Sequence, residues 1–418
     1  VKIFKFGGAS VKDAEGVKNV ATVITKCDEK DLVIVISAMG KMTNALEKVV
    51  DSYFKSPDAL ELAINEVLQF HINISIDIFK NKQHLIFSDI KEILDGLRGF
   101  LKTNKSTNHA FVYDQVVGYG EMLSTLIVST FLNEQHISNT LLDVRECIVT
   151  DDSFRDANVD WQASQIKILT AVSKTGITIT QGFLGTEAKN NFTTTLGREG
   201  SDYTAAIFAY CLNADSVTIW KDVPGVLNAD PRYFSTTTLL NHISYREAIE
   251  LAFYGASVIH PKTLQPLQRK EIPLFVKSFY EPENAGTCVG KGTTLDPAVS
   301  CFILKRNQVL ISLSSLDFSF MMEDRIGDVF KWLHFYKMKV ELIQNSAISF
   351  SVVVDNKYAN LEPLLSKLRS KFKVSWNENV TLYTVRHSEP KEIKQLEKNK
   401  IVLLKQESRE TVQLVIKD

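Results

Sequence analysis

The chain of 418 residues carries 48 Lys and Arg against 49 Asp and Glu, a formal net charge of −1. That length exceeds one typical core and implies two or three domains, and charges of both signs mixed along the chain exclude the basic footprint of nucleic-acid binding and favour small-molecule partners. No apolar run reaches membrane-spanning length and the charged, β-rich amino-terminal stretch lacks a signal-peptide core, so an unexported, cytoplasmic protein is expected, with five reduced cysteines (Cys27, Cys147, Cys211, Cys288, Cys301).

Residues 1–6 form a β-prone run that breaks at Gly7-Gly8-Ala9-Ser10. Ligands of α/β sheets collect at the carboxyl ends of strands, so Lys5 beside this turn could neutralise phosphoryl oxygens while Gly7, Gly8 and Ser10 supply donors. The plainer alternative is an edge-strand lysine in water. Residues 31–36 are nearly all apolar, as a strand buried on both faces of a parallel sheet requires. This run too ends in a small-residue turn, Ser37-Ala38-Met39-Gly40, leading to Thr43 and Asn44, where Asn44 and Glu47 have capping-box spacing. Two successive strands thus deliver small-residue loops to one end of a sheet, as a substrate crevice requires.

Residues from about 45 to 105 read as a helical subdomain without chemistry of its own. Gly118-Tyr119-Gly120-Glu121 then precedes an apolar helix over 122–132. A GxG without a third glycine is not a dinucleotide fingerprint, and no GxxxxGK[ST] phosphate loop occurs. Glu121 at a helix start could bind an ammonium or simply complement the helix dipole. The richest stretch is Gly197-Arg198-Glu199-Gly200-Ser201-Asp202, ahead of apolar residues at helical spacing over 203–212. Ser201 or Asp202 is expected as the N-cap. The glycines let backbone N–H groups approach an anion, Arg198 offers a bidentate partner for a carboxylate or phosphate, and Ser201 and Asp202 add a hydroxyl and a metal-seeking carboxylate. A capped helix after a tight turn would look the same taken alone.

Taken together and in order, KFGGAS at 5–10, SAMGKMTN at 37–44, Gly120-Glu121, QGFLG at 181–185, GREGSD at 197–202, Ala229-Asp230-Pro231-Arg232 and the run from Gly255 to Thr287 resemble the amino acid kinase family and, within it, the aspartokinases. The resemblance implies a three-layer α/β fold, a mostly parallel central sheet flanked by helices, over residues 1–295, with a nucleotide lobe at about 180–293. It implies transfer of the γ-phosphate of ATP, with Mg²⁺, to the side-chain carboxylate of L-aspartate. In that reading Lys5 holds the transferring group with Gly7, Gly8 and Ser10 around it, and Asp202 orients the catalytic cluster. Arg198 takes the substrate α-carboxylate and Glu121 its ammonium, and Ser37, Thr43 and Ser201 line the aspartate pocket. Lys221, Asp222, Asp230, Arg232 and Ser257 fall on the nucleotide side. Here the chain departs from the family: Trp220-Lys221-Asp222 stands where Trp-Thr-Asp is usual, Leu227 where a tyrosine is, and Ser257 where many members carry lysine. A lysine lost at Ser257 and gained at Lys221 suggests an exchange of phosphate partners. The alternatives are a related kinase acting on another carboxylate and a catalytically weak amino-acid sensor.

A glycine- and threonine-rich stretch from Val289 to Thr294 reads as a linker to a second fold. Beyond it, strands at 309–313, 340–343 and 348–354 and helices around 326–333 and 364–372, with a strand near Val374, make a βαββαβ, α+β pattern resembling an ACT domain over 300–378. Strands at 380–385, 401–404 and 411–416 and a short helix at 392–396 would form a second, abbreviated ACT-like unit over 379–418. The resemblance implies a lysine or threonine effector met by Glu341 and Ser346, and a homodimer built through these units.

Overall fold

The computed structural model describes residues 1–173, 175–256, 259–292, 295–316 and 320–417. Two compact units emerge. The first comprises Val1–Val226, Leu239–Ile249 and Val258–Pro297, the second Leu227–Thr238, Glu250–Ser257 and Ala298–Asp418.

The first unit runs β1 (Lys2–Phe6), α1 (Ala14–Cys27), β2 (Leu32–Ile36), α2 (Met42–Lys55), α3 (Pro57–Phe79), α4 (Ile86–Thr103), α5 (His109–Val117), α6 (Tyr119–Glu134), β3 (Asn139–Leu142), β4 (Val149–Thr150), α7 (Trp161–Ala171), β5 (Ile177–Gln181), β6 (Leu184–Glu187), β7 (Thr193–Thr195), α8 (Gly200–Leu212), β8 (Ser216–Lys221), β9 (His242–Ser244), the first half of α9 (Tyr245–Tyr254, whose residues from Glu250 on belong to the second unit), α10 (Pro261–Arg269), β10 (Leu274–Ser278) and β11 (Thr287–Gly290). Eight strands form one sheet in the order β3-β5-β2-β1-β8-β10-β11-β9, parallel throughout except at β10–β11. All five residues of β2 are buried, as expected for a parallel strand with helices on both faces.

Period-2 alternation sends Phe4, Phe6, Leu32, Ile34 and Ile36 into a core shared with α1 to α6. Ile3, Lys5, Val217, Ile219 and Lys221 point to the opposite face, where α8 packs. In the β1–β8 register Lys5 lies beside Ile219, so Lys221, two residues on, leaves the same face at the same carboxyl edge. β11 places Val289 and Gly290 inside the sheet, so the expected linker is structural up to that point, and Thr293 and Thr294 lie outside the described residues.

The second unit contains β12 (Cys301–Ser315), α11 (Glu323–Phe335), β13 (Lys339–Asn345), β14 (Ser349–Asp355), α12 (Leu361–Arg369), β15 (Phe372–Arg386), α13 (Pro390–Glu397), β16 (Ile401–Glu407) and β17 (Thr411–Lys417). They form one antiparallel sheet, β13-β14-β12-β15-β17-β16. β12 and β15 run through both halves: residues from Gln308 onward pair with β14, whereas Cys301–Lys305 pairs with the part of β15 that meets β17. The halves share a signature, because β13 and β16 have the same burial pattern and each carries a register shift against its neighbour. The boundary drawn at 378/379 falls inside β15, and the second half takes its fourth strand from the start of β12.

Candidate active site

The loops that leave β1 and β2 meet at the carboxyl edge of the sheet. Ser37 N–H donates to the Phe6 carbonyl at 3.1 Å and Gly40 N–H to the Gly8 carbonyl at 2.9 Å. The approach is so close that a Cβ on Gly8 would lie 2.6 Å from the Ala38 carbonyl oxygen, which only glycine permits. Ser10 is buried, its hydroxyl 3.3 Å from the Trp220 carbonyl at the end of β8. α6 closes the floor, since a Cβ on Gly120 would meet the Ala38 side chain at 2.9 Å.

Three charged groups converge there. Lys5 Nζ lies 2.6 Å from Asp202 Oδ1, and Lys221 Nζ lies 3.8 Å from Asp202 Oδ2. Burial alone would raise the Asp202 carboxyl, but Lys5 and Lys221 outweigh it and hold the group below the usual carboxylate range. Glu121, 3% exposed, accepts the Ala38 N–H through Oε1 at 3.2 Å, while its Oε2 is buried without a partner among the described residues. Burial pushes this carboxyl up to about 8, against a smaller opposing pull from the Ala38 N–H and Lys5. A buried carboxyl oxygen with no donor leaves a hydrogen-bonding demand unmet within the fold.

The GREGSD stretch enters α8 differently from expectation. Glu199, not Ser201 or Asp202, is the N-cap, at φ 53°, and Gly197 at φ +79° turns the chain so that the helix starts at Gly200. Ser201 and Asp202 therefore occupy the first turn, where a carboxylate complements the helix dipole. Ser201 is buried against Gly182, whose missing side chain leaves room: a Cβ there would lie 2.5 Å from Ser201 Oγ. Arg198 projects as an exposed side chain from the same turn. Nor does the capping box at Asn44 form. α2 starts at Met42 after Lys41 with no side-chain cap, so Asn44 lies inside the first turn and not at the N-cap, and Glu47 accepts the Tyr113 hydroxyl at 3.1 Å. Thr43 sits half-buried in that first turn.

Lys5, Gly8, Ser10, Ser37, Glu121, Asp202 and Lys221 are therefore tied into one neighbourhood by the contacts above, joined by Gly7, where a Cβ would lie 3.3 Å from Lys5 Nζ, and by Ser201 beside Asp202 in the first turn of α8, with Arg198 and Thr43 on the turns that border it. Asp222 is exposed just beyond β8. Asp230 and Arg232 belong to the second unit, where they pair with each other at 2.6 Å. Ser257 lies outside the described residues. Also in the second unit, Glu341 is engaged by Lys305 and, at 2.8 Å, by Lys339, and Ser346 Oγ is 2.6 Å from Ser349 Oγ in an exposed turn.

Sequence reading missed Asp114. This fully buried carboxylate accepts backbone N–H groups from Arg155 and Thr195 and the Thr195 hydroxyl. Its one signal is a charged residue on an otherwise apolar helix, α5.

Glycine-lined loops, two lysines on a shared carboxylate and an unpartnered acid at the carboxyl edge of a parallel sheet define a phosphotransferase of the type that binds small anionic acceptors. Residues 1–278 match the model of the amino acid kinase family. The chain is 34% identical over 369 residues to lysine-sensitive aspartokinase 3 of Escherichia coli, covering 85% of this chain and 78% of that protein. It is 30% identical over 376 residues to the chloroplastic aspartokinase 1 of Arabidopsis thaliana, covering 84% and 63%. Two crystal structures of E. coli aspartokinase III, each 29% identical, align with it. The complex with lysine and aspartate (T-state) gives a TM-score of 0.84 over 99% of this chain and 95% of that one, and the complex with aspartate and ADP (R-state) gives 0.81 over 100% and 96%. The chain belongs to the amino acid kinase family, in its aspartokinase branch.

Proposed function

We propose that this protein is an aspartate kinase that transfers the γ-phosphate of ATP to the side-chain carboxylate of L-aspartate, giving 4-phospho-L-aspartate. One observation carries the assignment of the site: the Lys5–Asp202–Lys221 cluster stands at the same sheet edge as the orphaned Glu121 Oε2, so cationic and anionic recognition lie side by side. An amino acid with its ammonium toward Glu121 and its α-carboxylate on Arg198 then has one carboxylate left to face Lys5.

That nucleophile is already an anion at neutral pH, so no general base is required, and the barrier lies in bringing two anions together. The free carboxylate oxygen attacks the γ-phosphorus in line while the bond to the β,γ-bridging oxygen breaks, and the electron pair leaves on ADP. Lys5 places positive charge on the transferring group, held in position by Asp202 at 2.6 Å. Gly7, Gly8 and Ser10 let backbone and hydroxyl donors approach the phosphates, and Ser37, Thr43 and Ser201 complete the pocket for the acceptor. Lys221 serves as a phosphate partner in this reading, and the role expected of Ser257 falls on a residue outside the described ones. Asp222 is a further nucleotide contact in this reading.

Among the described residues no group of three or more His, Cys, Asp or Glu could hold a metal ion, and Asp202 is already shared by two lysines. Mg²⁺ would enter with the nucleotide and not as a resident ion: Asp202 is the carboxylate of the cluster that would face it, and the ion would supply positive charge to the phosphate oxygens. The second unit is read as a pair of ACT-like halves that take lysine as effector at Glu341 and Ser346. The effector's ammonium would displace the lysines now on Glu341. The outer edges of β13 and β16 end the sheet, a geometry that suits pairing with a second copy.

Purified protein incubated with ATP, Mg²⁺ and hydroxylamine tests the assignment. Aspartate-dependent hydroxamate is expected, hydroxamate from glutamate alone would transfer the assignment to another acceptor, and none from either would favour the sensor.

A further inference from the structure

Three consecutive residues on α5 fasten that helix to α2 and to the strand that leads into Arg198. Tyr113 donates its hydroxyl to Glu47 Oε1 at 3.1 Å, on the helix whose first turn carries Thr43. Asp114 accepts four hydrogen bonds: Arg155 N–H bridges Oδ1 and Oδ2 at 3.1 and 3.0 Å, Thr195 N–H reaches Oδ2 at 2.8 Å, and the Thr195 hydroxyl reaches Oδ1 at 2.8 Å. The Gln115 side chain brackets Thr193, donating to its carbonyl at 2.7 Å and accepting its N–H at 3.1 Å. Thr193–Thr195 is β7, the strand that ends three residues before Arg198.

The segment caught between Asp114 and β7 is itself under constraint. Arg155 adopts φ 74°, in the left-handed region, with its guanidinium stacked 4.1 Å over the Tyr113 ring. Ala157 N–H donates to the Thr195 carbonyl at 2.9 Å. A Cβ on Gly197 would lie 2.4 Å from Asp156 Oδ1, so the chain just before Arg198 is boxed in by the same loop. Asp114 is thus the point where α5, the 155–157 loop and β7 are fastened together. A non-glycine residue at φ 74° persists only when its surroundings over-determine it, and two acceptor oxygens on one N–H are such surroundings.

We propose that Asp114 is a positioning residue that sets the turn from which Arg198 meets the acceptor's α-carboxylate, with Tyr113 and Glu47 tying that turn to the Thr43 wall. The proposal rests on the role given to Arg198 above. It makes a chemical prediction about the charge. With an asparagine whose carbonyl replaces Oδ2, both backbone N–H groups keep an acceptor, and the new amide can donate to a rotated Thr195 hydroxyl. Geometry, not charge, is what Asp114 supplies.

The test is a set of steady-state measurements with aspartate and ATP varied separately. Asp114→Ala is expected to raise KM for aspartate about tenfold or more, as loss of orientation does, while KM for ATP stays within about twofold and Asp114→Asn restores most of the loss. In an Arg198→Ala background the further change Asp114→Ala is expected to cost almost nothing, because residues acting as a unit are not additive. If Asp114→Ala multiplies KM by the same factor in both backgrounds, or shifts both KM values together, the proposal is overturned. If Arg198→Ala by itself leaves KM for aspartate unchanged, the underlying reading of Arg198 fails, and the positioning role falls with it. Should Asp114→Ala not fold, Thr195→Val removes only the hydroxyl bond. A several-fold rise in aspartate KM is then expected, and parental kinetics would overturn the proposal.

Discussion

Replacing Glu121 by glutamine should move stability and substrate binding in opposite directions. Burial pushes the Glu121 carboxyl from 4.5 up to about 8. The folded protein therefore favours the protonated acid, whereas the unfolded chain ionises near its ordinary value. For an acid shifted upward, the favourable contribution is complete below the unfolded pKa and is lost as pH climbs toward the folded one. Between 4.5 and neutrality that loss amounts to about 3 kcal/mol. Glutamine keeps an acceptor for the Ala38 N–H and removes the charge, so Glu121→Gln should raise Tm at pH 7 to 8 and flatten its decline from pH 5 upward, read by calorimetry without ligand. The same change deletes the charged partner of the substrate ammonium, a bond of about 1.5–3 kcal/mol, and so raises KM for aspartate by about 10- to 150-fold. Aspartate binding to the parent at pH 7 should also expel a proton from Glu121, detectable by titration in buffers of different ionisation enthalpy. A Glu121→Gln protein that is less stable at pH 8 and binds aspartate within about twofold of the parent would refute the reasoning.

Three further outcomes follow from the cluster and the second unit. Lys5→Ala should lower kcat about a hundredfold or more, since it removes a preorganised charge from the transition state, and a coupled ADP-release assay giving a value within about twofold would disprove that role. Lys221→Thr should raise KM for ATP about tenfold while leaving KM for aspartate near the parental value, as expected of a lysine that contacts phosphate; equal effects on both substrates would assign Lys221 to the general field of Asp202. Millimolar lysine should inhibit, and Glu341→Ala should relieve that inhibition without changing activity in its absence. Activity unchanged by lysine and threonine, singly or together, would remove the effector reading.

What could be read from the sequence was the set of positions where chemistry and backbone geometry coincide. Gly8, in the loop after β1, and Gly120, in the first turn of α6, lie within contact distance of Ala38, and only glycine fits there. Lys5 and Lys221 leave one face of neighbouring strands by simple alternation. The start of α8 escaped because a serine and an aspartate ahead of an apolar run look like caps, whereas the left-handed turn at Gly197 and Glu199 begins the helix earlier. β12 and β15 read as short strands because each is interrupted by a left-handed asparagine, Asn307 and Asn379, near an irregular register. Asp114 gave only the weak signal of a charge on a largely apolar helix. Its partners Arg155 and Thr195 are 41 and 81 residues away, and only the folded chain brings them to it.

The central claim is that Arg198 and Glu121 hold the α-carboxylate and ammonium so that the side-chain carboxylate meets the γ-phosphate beside Lys5. It is tested most directly by quenching a single turnover with borohydride, which reduces an acyl phosphate to an alcohol and records which carboxylate was phosphorylated. The account predicts 2-amino-4-hydroxybutyrate, formed only with ATP present and lost in Lys5→Ala. Recovery of 3-amino-4-hydroxybutyrate would mean that the α-carboxylate is the acceptor, and would contradict it.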